Sequence, residues 1–314
     1  MSVADARGVV RAPMPQIMVR LLPLWILWGA TYLGMALLVD SMPPLMGNGS
    51  RFLVAGAVLA LGVTVLRGPR SLVVTRSQLR SLVVMGVMIL GVGIGTVGLA
   101  ERYVPSGVAA LLVSISPLLI VLFRVRAGER PARLTLIGVA LGLIGLAIML
   151  LPGGTVPVSG TDTDVVLWSL AIVVGSLSWS YFSWRSTSFD LPDDSFATTA
   201  YELLIAGAAM SAVGFLIGER WNLDGITLTS WVGWTYLALA SLVAYAAYIW
   251  LLGHAPISLT ATYAYVNPVV AVILGALIVS EPLTRDVVVG LTIVVGGVVL
   301  VVTGERRPTP AAPD

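Results

Sequence analysis

The sequence is dominated by apolar runs of about 20 residues, the length that a helix needs to cross the hydrocarbon core of a membrane. Only 11% of the 314 residues are charged, whereas soluble domains carry about 25%. A soluble fold could not bury this much apolar surface, so the sequence predicts an all-α integral membrane protein. We predict about ten transmembrane helices. They cover residues 21–39, 45–66, 81–100, 105–125, 134–152, 165–184, 195–217, 231–252, 257–279 and 285–303.

The placement of arginine predicts the orientation, because positive residues accumulate in cytoplasmic loops. If the N-terminus is cytoplasmic, most arginines fall in cytoplasmic segments. Arg102, Arg220 and Arg285 then lie outside, and Arg51 lies within a span. We therefore expect a multi-pass protein of the cytoplasmic (inner) membrane with both termini in the cytoplasm.

The two halves of the chain match each other at an offset of about 151 residues, as Pro117 with Pro268 and Trp28 with Trp179 show. Five spans in each half force the second half to run opposite to the first. Inverted repeats of this kind are typical of secondary transporters, whose substrate site lies between the repeats. The predicted divisions are an N-terminal tail (1–20), a first repeat (21–152), a linker (153–164), a second repeat (165–303) and a C-terminal tail (304–314).

Three segments, LWGATYLGMALL, VPSGVAALLVSISPLLIVLF and TYAYVNPVVAVILGALIVSEPLT, resemble the EamA-domain branch of the drug/metabolite transporter superfamily. The resemblance extends over nearly the whole chain. It implies ten helices in two EamA repeats, with both termini inside and an exporter-like activity. It implies diverse substrates, including amino acids, other metabolites and amphiphilic drugs.

Opposite charges occupy equivalent positions of the two repeats, at Arg51 and Glu202. Each lies roughly 10 Å deep in its span, and charges within a membrane are costly and often functional. We predict an outer closure between Arg51 and Glu101. We predict an inner closure between Glu202 and His254, with Glu202 also a candidate for proton coupling. The alternatives are an Arg51 that reaches the interface, a Glu202 bonded within its own helix, and an ordinary interfacial His254.

Aromatic and polar side chains of the eighth and ninth spans predict a substrate pocket, because their spacing places them on shared helix faces. The predicted substrate-binding residues are Trp28, Tyr32, Trp179, Glu202, Tyr245, Tyr248, Tyr263 and Asn267. Pro117 and Pro268 predict helix kinks, and Pro268 should leave the carbonyl of Ala264 free. Aromatic walls with an acid suit an amphiphilic cation. The alternative for the aromatic residues is plain packing or an interfacial belt.

Several chemistries are not expected. The chain has no cysteine and one histidine, so we predict neither a metal site nor a cofactor. The glycines Gly93, Gly95 and Gly98 match a dinucleotide motif, but they lie inside a span, where small residues favour close helix packing. The net charge of +2 is too small to indicate a nucleic-acid partner.

The sequence therefore predicts a secondary transporter that exports small metabolites, amino acids or amphiphilic drugs by alternating access. Its partners would be the lipid bilayer, a small-molecule substrate and protons as the candidate coupling ion. The alternatives are a passive facilitator or channel on the same fold, and an intramembrane receptor or enzyme. We do not expect an enzyme, because the spans contain no Ser/His pairing, paired acids or metal ligands. The substrate, the direction of transport and the oligomeric state stay open at this stage.

Overall fold

The computed structural model describes residues 12–104, 106–150, 158–278 and 285–306. Helices and loops account for these residues, with no strand among them, which confirms the all-α prediction. Residues 1–11 and 307–314 of the predicted tails, and 153–157 of the predicted linker, lie outside the described residues. The first helix begins at Met14, so residues 14–20 of the predicted N-terminal tail are helical.

Each predicted span overlaps one or more helices among the described residues. The first half contains α1 (Met14–Gly29), α2 (Thr31–Val39), α3 (Pro44–Arg67), α4 (Arg76–Met85), α5 (Gly95–Ala100), α6 (Ser106–Val113), α7 (Ser116–Arg126) and α8 (Arg133–Leu150). The second half contains α9 (Asp162–Arg185), α10 (Ser195–Leu216), α11 (Leu228–Ala240), α12 (Ala246–His254), α13 (Ile257–Thr260), α14 (Tyr263–Ile278) and α15 (Arg285–Arg306). A first π segment, Gly86–Ile94, joins α4 to α5, and a second, Ser241–Tyr245, joins α11 to α12.

Six helical stretches among the described residues are long and apolar enough to cross a membrane. They are Met14–Val39, Pro44–Arg67, Arg76–Ala100, Thr163–Ser188, Ser195–Leu216 and Leu228–His254. The spans predicted at 105–125 and 257–279 are each divided into two shorter helices. The number of ten spans and the placement of the termini therefore stay predictions.

Two helix starts show how side chains satisfy the free amides at an N-terminus. The α9 helix begins after Thr161, whose Oγ1 accepts a hydrogen bond from the Asp164 amide while Asp164 Oδ2 accepts from the Thr161 amide. The α3 helix begins beside Glu219, a residue that follows α10. Its carboxylate accepts the amides of Leu45 and Met46 at 3.0 and 2.8 Å, which ties the two helices together at one end.

Helices that correspond in the two predicted repeats pack against each other. The α3 and α10 helices touch along their length, and α8 packs against α15. At the first contact, a Cβ on Gly49 would lie 2.8 Å from the carbonyl oxygen of Gly207, and a Cβ on Gly207 would lie 2.7 Å from that of Gly49. Glycine at both positions lets the two backbones approach this closely.

The glycines of the dinucleotide-like motif lie in the first π segment and α5, where they pack against neighbouring helices. A Cβ on Gly93 would lie 2.9 Å from the Trp179 ring. A Cβ on Gly98 would lie 2.8 Å from Nδ2 of Asn48. The interpretation of this motif as a helix-packing feature is thereby confirmed.

Candidate substrate-binding site

Five aromatic side chains from different helices meet in the centre of the molecule. We call them the aromatic cluster: Trp28, Trp179, Tyr245, Tyr248 and Tyr263. The Trp28 ring lies 4.9 Å from that of Tyr263 and 5.6 Å from that of Trp179, both edge-to-face. Edge-to-face contacts at such distances are the preferred geometry of aromatic pairs. The cluster joins the N-terminal helix to both helices of the predicted pocket.

A cavity of about 780 Å³, including its mouth, opens beside the aromatic cluster; we call it the central cavity. Six of the predicted substrate-binding residues line it: Trp28, Tyr32, Trp179, Tyr245, Tyr263 and Asn267. Tyr248, the remaining member of the aromatic cluster, does not line the cavity, and its hydroxyl donates to Ser183 Oγ at 2.5 Å. The cavity thus lies between helices of the two predicted repeats.

Glu202 does not line the central cavity, although we predicted it as a substrate-binding residue. Its side chain is fully buried in α10, and Oε2 accepts a hydrogen bond from the Tyr245 hydroxyl at 2.5 Å. The predicted alternative, a bond within its own helix, names the wrong partner, because Thr199 donates to the Ser195 carbonyl and Tyr201 to that of Leu72. Glu202 therefore touches the wall of the central cavity only through Tyr245.

A second cavity lies on the other side of this hydrogen bond, at the end where α9 leads into α10; we call it the loop-side cavity. Its space, including the mouth, is about 650 Å³, and both Glu202 and His254 line it. The predicted pair between these two residues is not formed, because His254 Nδ1 lies 2.8 Å from the Trp250 carbonyl. The His254 ring also stacks on Trp250, so its orientation is set within α12.

Arg51 is buried, with 4% of its surface exposed, and it lines the central cavity. Its Nε donates to Asn48 Oδ1 at 2.8 Å. Its Nη1 donates to Ser241 Oγ at 2.6 Å and to the Leu237 carbonyl at 3.3 Å. The side chain therefore points across to α11 and does not extend to the interface. Depth alone suggested that Arg51 could snorkel, but the direction of its side chain excludes this.

The predicted outer pair between Arg51 and Glu101 is wrong for this structure. Glu101 is buried at the end of α5, and neither carboxylate oxygen has a hydrogen-bond partner among the described residues. The sequence placed Arg51 and Glu101 at compatible depths in the membrane. Their side chains nevertheless point to different neighbours, because depth does not determine the direction in which a side chain leaves its helix.

The second π segment connects the two intramembrane charges. Arg51 binds its first residue, Ser241, and Glu202 accepts from its last residue, Tyr245. Short π-helical segments inside α-helices are frequent at functional sites. The first π segment occupies the corresponding span of the other half, and its residues Leu90 and Gly93 line the same cavity. Irregular backbone from both halves therefore borders the central cavity.

Both predicted kink prolines lie at places where a carbonyl lacks its helical partner. Pro268 lies inside α14, and the carbonyl of Ala264 accepts a hydrogen bond from Ser114 Oγ at 2.8 Å. Pro117 lies in the first turn of α7, where a break after α6 replaces the expected continuous kinked helix. There the Val113 carbonyl accepts from Ser116 Oγ at 2.7 Å.

Sequence reasoning missed several polar residues of the central cavity. Ser176 lines it one turn from Trp179, and Thr31 and Ser116 line it as well. Asn48 was also missed, although it is completely buried and orients Arg51. The spacing of three residues between Ser176 and Trp179 places both on one face of α9, and this signal could have identified the serine.

The model of the EamA-like transporter family matches residues 19–151 and 166–303. The chain is 38% identical over 288 residues to the uncharacterized inner membrane transporter YedA of Escherichia coli (strain K12), covering 91% of this chain and 90% of YedA. It is 25% identical over 278 residues to the protein PecM of Dickeya dadantii (strain 3937), covering 87% of this chain and 88% of PecM.

A solved crystal structure has the same fold. It superposes with a TM-score of 0.77 at 20% identity and covers 94% of this chain and 99% of the solved chain. The family model covers most of the sequence, and the relatives match it nearly from end to end. This chain is a member of the EamA-like transporter family and a multi-pass protein of the inner membrane.

Proposed function

We propose that the protein is a secondary carrier that exports small organic molecules by alternating access. The observation that carries this proposal is the pair of cavities on either side of the Tyr245–Glu202 hydrogen bond. Tyr245 lines the central cavity, and Glu202 lines the loop-side cavity. The Tyr245–Glu202 hydrogen bond links the walls of the two cavities.

The orientation predicted from arginine placement assigns the two cavities to opposite sides of the membrane. In that orientation the loop-side cavity faces the cytoplasm and the central cavity opens towards the outside. Transport then requires the Tyr245–Glu202 bond to break while a closure forms on the outer side. The second π segment is a suitable hinge, because its backbone is irregular and both intramembrane charges hold it.

Protons are the coupling ion that we propose. Glu202 Oε2 is bonded to Tyr245, whereas Oε1 has no partner among the described residues. A neutral carboxyl group accepts a weaker hydrogen bond than a carboxylate does. Protonation of Glu202 would therefore weaken the contact that separates the cavities, and this links proton binding to the conformational change.

The test is transport in proteoliposomes with an imposed pH gradient. The panel contains amino acids, polyamines, lipophilic cations and organic acids. We expect the wild type to accumulate at least one compound against its gradient. Glu202→Gln should still exchange that compound across the membrane but should no longer accumulate it. Glu101→Gln is the matched control, because it removes another buried acid that lines neither cavity, and it should keep uphill transport.

Two results would contradict the proposal. Uphill transport by Glu202→Gln at the wild-type level would remove Glu202 as the coupling residue. Flux in the wild type that only follows the compound's own gradient, whatever the pH gradient, would indicate the alternative, a passive facilitator or channel.

A further inference from the structure

The central cavity contains a cation without an acidic partner. Arg51 forms hydrogen bonds through Nε and Nη1 to neutral oxygens of Asn48, Leu237 and Ser241. No hydrogen bond from Nη2 is found within the described part of the chain. No acidic residue there pairs with Arg51 or is among the charges that act on it. Its positive charge is therefore uncompensated at the cavity wall.

An uncompensated charge in a membrane is costly, and neutral hydrogen bonds reduce this cost without cancelling the charge. An anion at Nη2 would supply what is missing. The guanidinium is already fixed for this role, since its Cζ lies 4.2 Å from the centroid of the Phe52 ring and three hydrogen bonds hold it. The two N–H groups of Nη2 remain for a ligand, and a carboxylate can accept a charge-assisted hydrogen bond from this nitrogen.

Other polar atoms in the same wall also lack partners. Ser176 Oγ and Asn267 Oδ1 are buried without a hydrogen-bond partner among the described residues, and both residues line the central cavity. Buried polar groups are normally satisfied, so unsatisfied ones beside a cavity mark positions where a polar ligand can bind. The serine hydroxyl is a donor, as an anion requires, and the Asn267 amide carries both a donor and an acceptor.

The rest of the wall is apolar, aromatic or neutral. None of the described residues that line the central cavity is acidic. The nearby acid, Glu202, lies behind Tyr245 and borders the loop-side cavity. The charge presented to a ligand is therefore positive. This reverses the expectation from sequence, which placed Glu202 in the pocket and favoured an amphiphilic cation.

We infer that the central cavity binds a small organic anion, a carboxylate with an aromatic or apolar body. Its carboxylate meets Nη2 of Arg51, and its body packs against Trp28 and Tyr263 of the aromatic cluster. This inference rests on the proposed carrier function and names the substrate class of that site. Ser176 then donates to the polar end of the ligand.

The test is equilibrium binding to the full-length protein in lipid nanodiscs, measured by isothermal titration calorimetry. Three probes share one body and differ in charge: 3-phenylpropionate, 3-phenylpropionamide and 3-phenylpropylamine. The acid should bind at least about tenfold more tightly than the amide or the amine. Arg51→Gln should lower the affinity for the acid at least about tenfold and leave that for the amide within about threefold. Arg51→Lys should lie between, because it keeps the charge and loses the planar fork.

A second variant keeps the test decisive if Arg51→Gln does not fold. Asn267→Asp has nearly the same shape and adds a negative charge to the cavity wall. It should lower the affinity for the acid and raise that for the amine. Tighter binding of the amine than of the acid by the wild type would overturn the inference. So would an affinity for the acid that neither Arg51→Gln nor Asn267→Asp changes.

The binding test needs no gradient, so its failure can be told apart from failure of the carrier proposal. Uphill transport of a cation without binding of the acid would overturn this inference and leave the carrier proposal intact. Binding of the acid as expected, with no transport of any compound in proteoliposomes, would support the anion site and contradict the carrier proposal.

Discussion

Replacing Tyr245 by phenylalanine removes one hydroxyl group from the contact between the two cavities. Tyr245 and Glu202 are both buried, and the hydroxyl donates to Glu202 at 2.5 Å. The ring itself stays in the aromatic cluster, so packing changes little. Glu202 then has no hydrogen-bond donor among the described residues, because Oε1 is already unpartnered.

The expected cost follows from the asymmetry of buried hydrogen bonds. Removing one partner and leaving the other buried costs about 1–3 kcal/mol, whereas replacing both by apolar groups of similar shape can be nearly neutral. We therefore expect Tyr245→Phe to lower the free energy of unfolding by about 1–3 kcal/mol. The double variant Tyr245→Phe with Glu202→Leu should recover most of this loss.

The assay is reversible unfolding by SDS titration in mixed micelles, applied to both single variants and the double variant. Tyr201→Phe is the matched control, because Tyr201 adjoins Glu202 but donates to the Leu72 carbonyl at 2.7 Å. The losses in free energy of unfolding caused by Tyr201→Phe and by Glu202→Leu should be additive in the double variant. The reasoning is refuted if Tyr245→Phe leaves the free energy of unfolding unchanged. Additive losses for Tyr245→Phe and Glu202→Leu would refute it equally.

Two further predictions concern the packing of the helices. Gly49→Ala should lower the free energy of unfolding by about 1–3 kcal/mol, because its Cβ would lie 2.8 Å from the Gly207 carbonyl oxygen. Gly62→Ala is the control, because a Cβ there would have nothing within 4 Å, and it should not lower the free energy of unfolding. Equal effects of the two substitutions would contradict the close contact. Ser114→Ala should cost about 1 kcal/mol in the same assay by leaving the Ala264 carbonyl without its hydroxyl donor; no loss would mean that this carbonyl is satisfied otherwise.

The positions of the helices could be predicted from the sequence because hydrophobicity and helix length carry that information directly. The predicted span 45–66 is α3 (Pro44–Arg67), and 195–217 is α10 (Ser195–Leu216). The division of the predicted span 257–279 into α13 and α14 was not predicted. Hydropathy does not record where the backbone departs from a regular helix.

The sequence predicted which residues belong to the candidate site, but not which residues they contact. Tyr245 and Asn267 were identified because aromatic and polar residues at helical spacing stand out in an apolar span. Depth in the membrane was also readable for Arg51 and Glu202. The direction of each side chain depends on rotation about the helix axis and on the π segment, which only tertiary packing sets. For this reason Arg51 was assigned to Glu101, while the structure places it against Ser241.

The most direct test of the central claim is the reactivity of single cysteines in the two cavities. The natural chain has no cysteine, so Thr31→Cys in the central cavity and Thr187→Cys in the loop-side cavity each report one site. Their labelling rates by a membrane-impermeant maleimide are measured in nanodiscs, with and without a compound that the proteoliposome assay identifies as transported. Alternating access predicts that the compound raises one rate and lowers the other. Rates that stay unchanged, or that both rise or both fall, would contradict it.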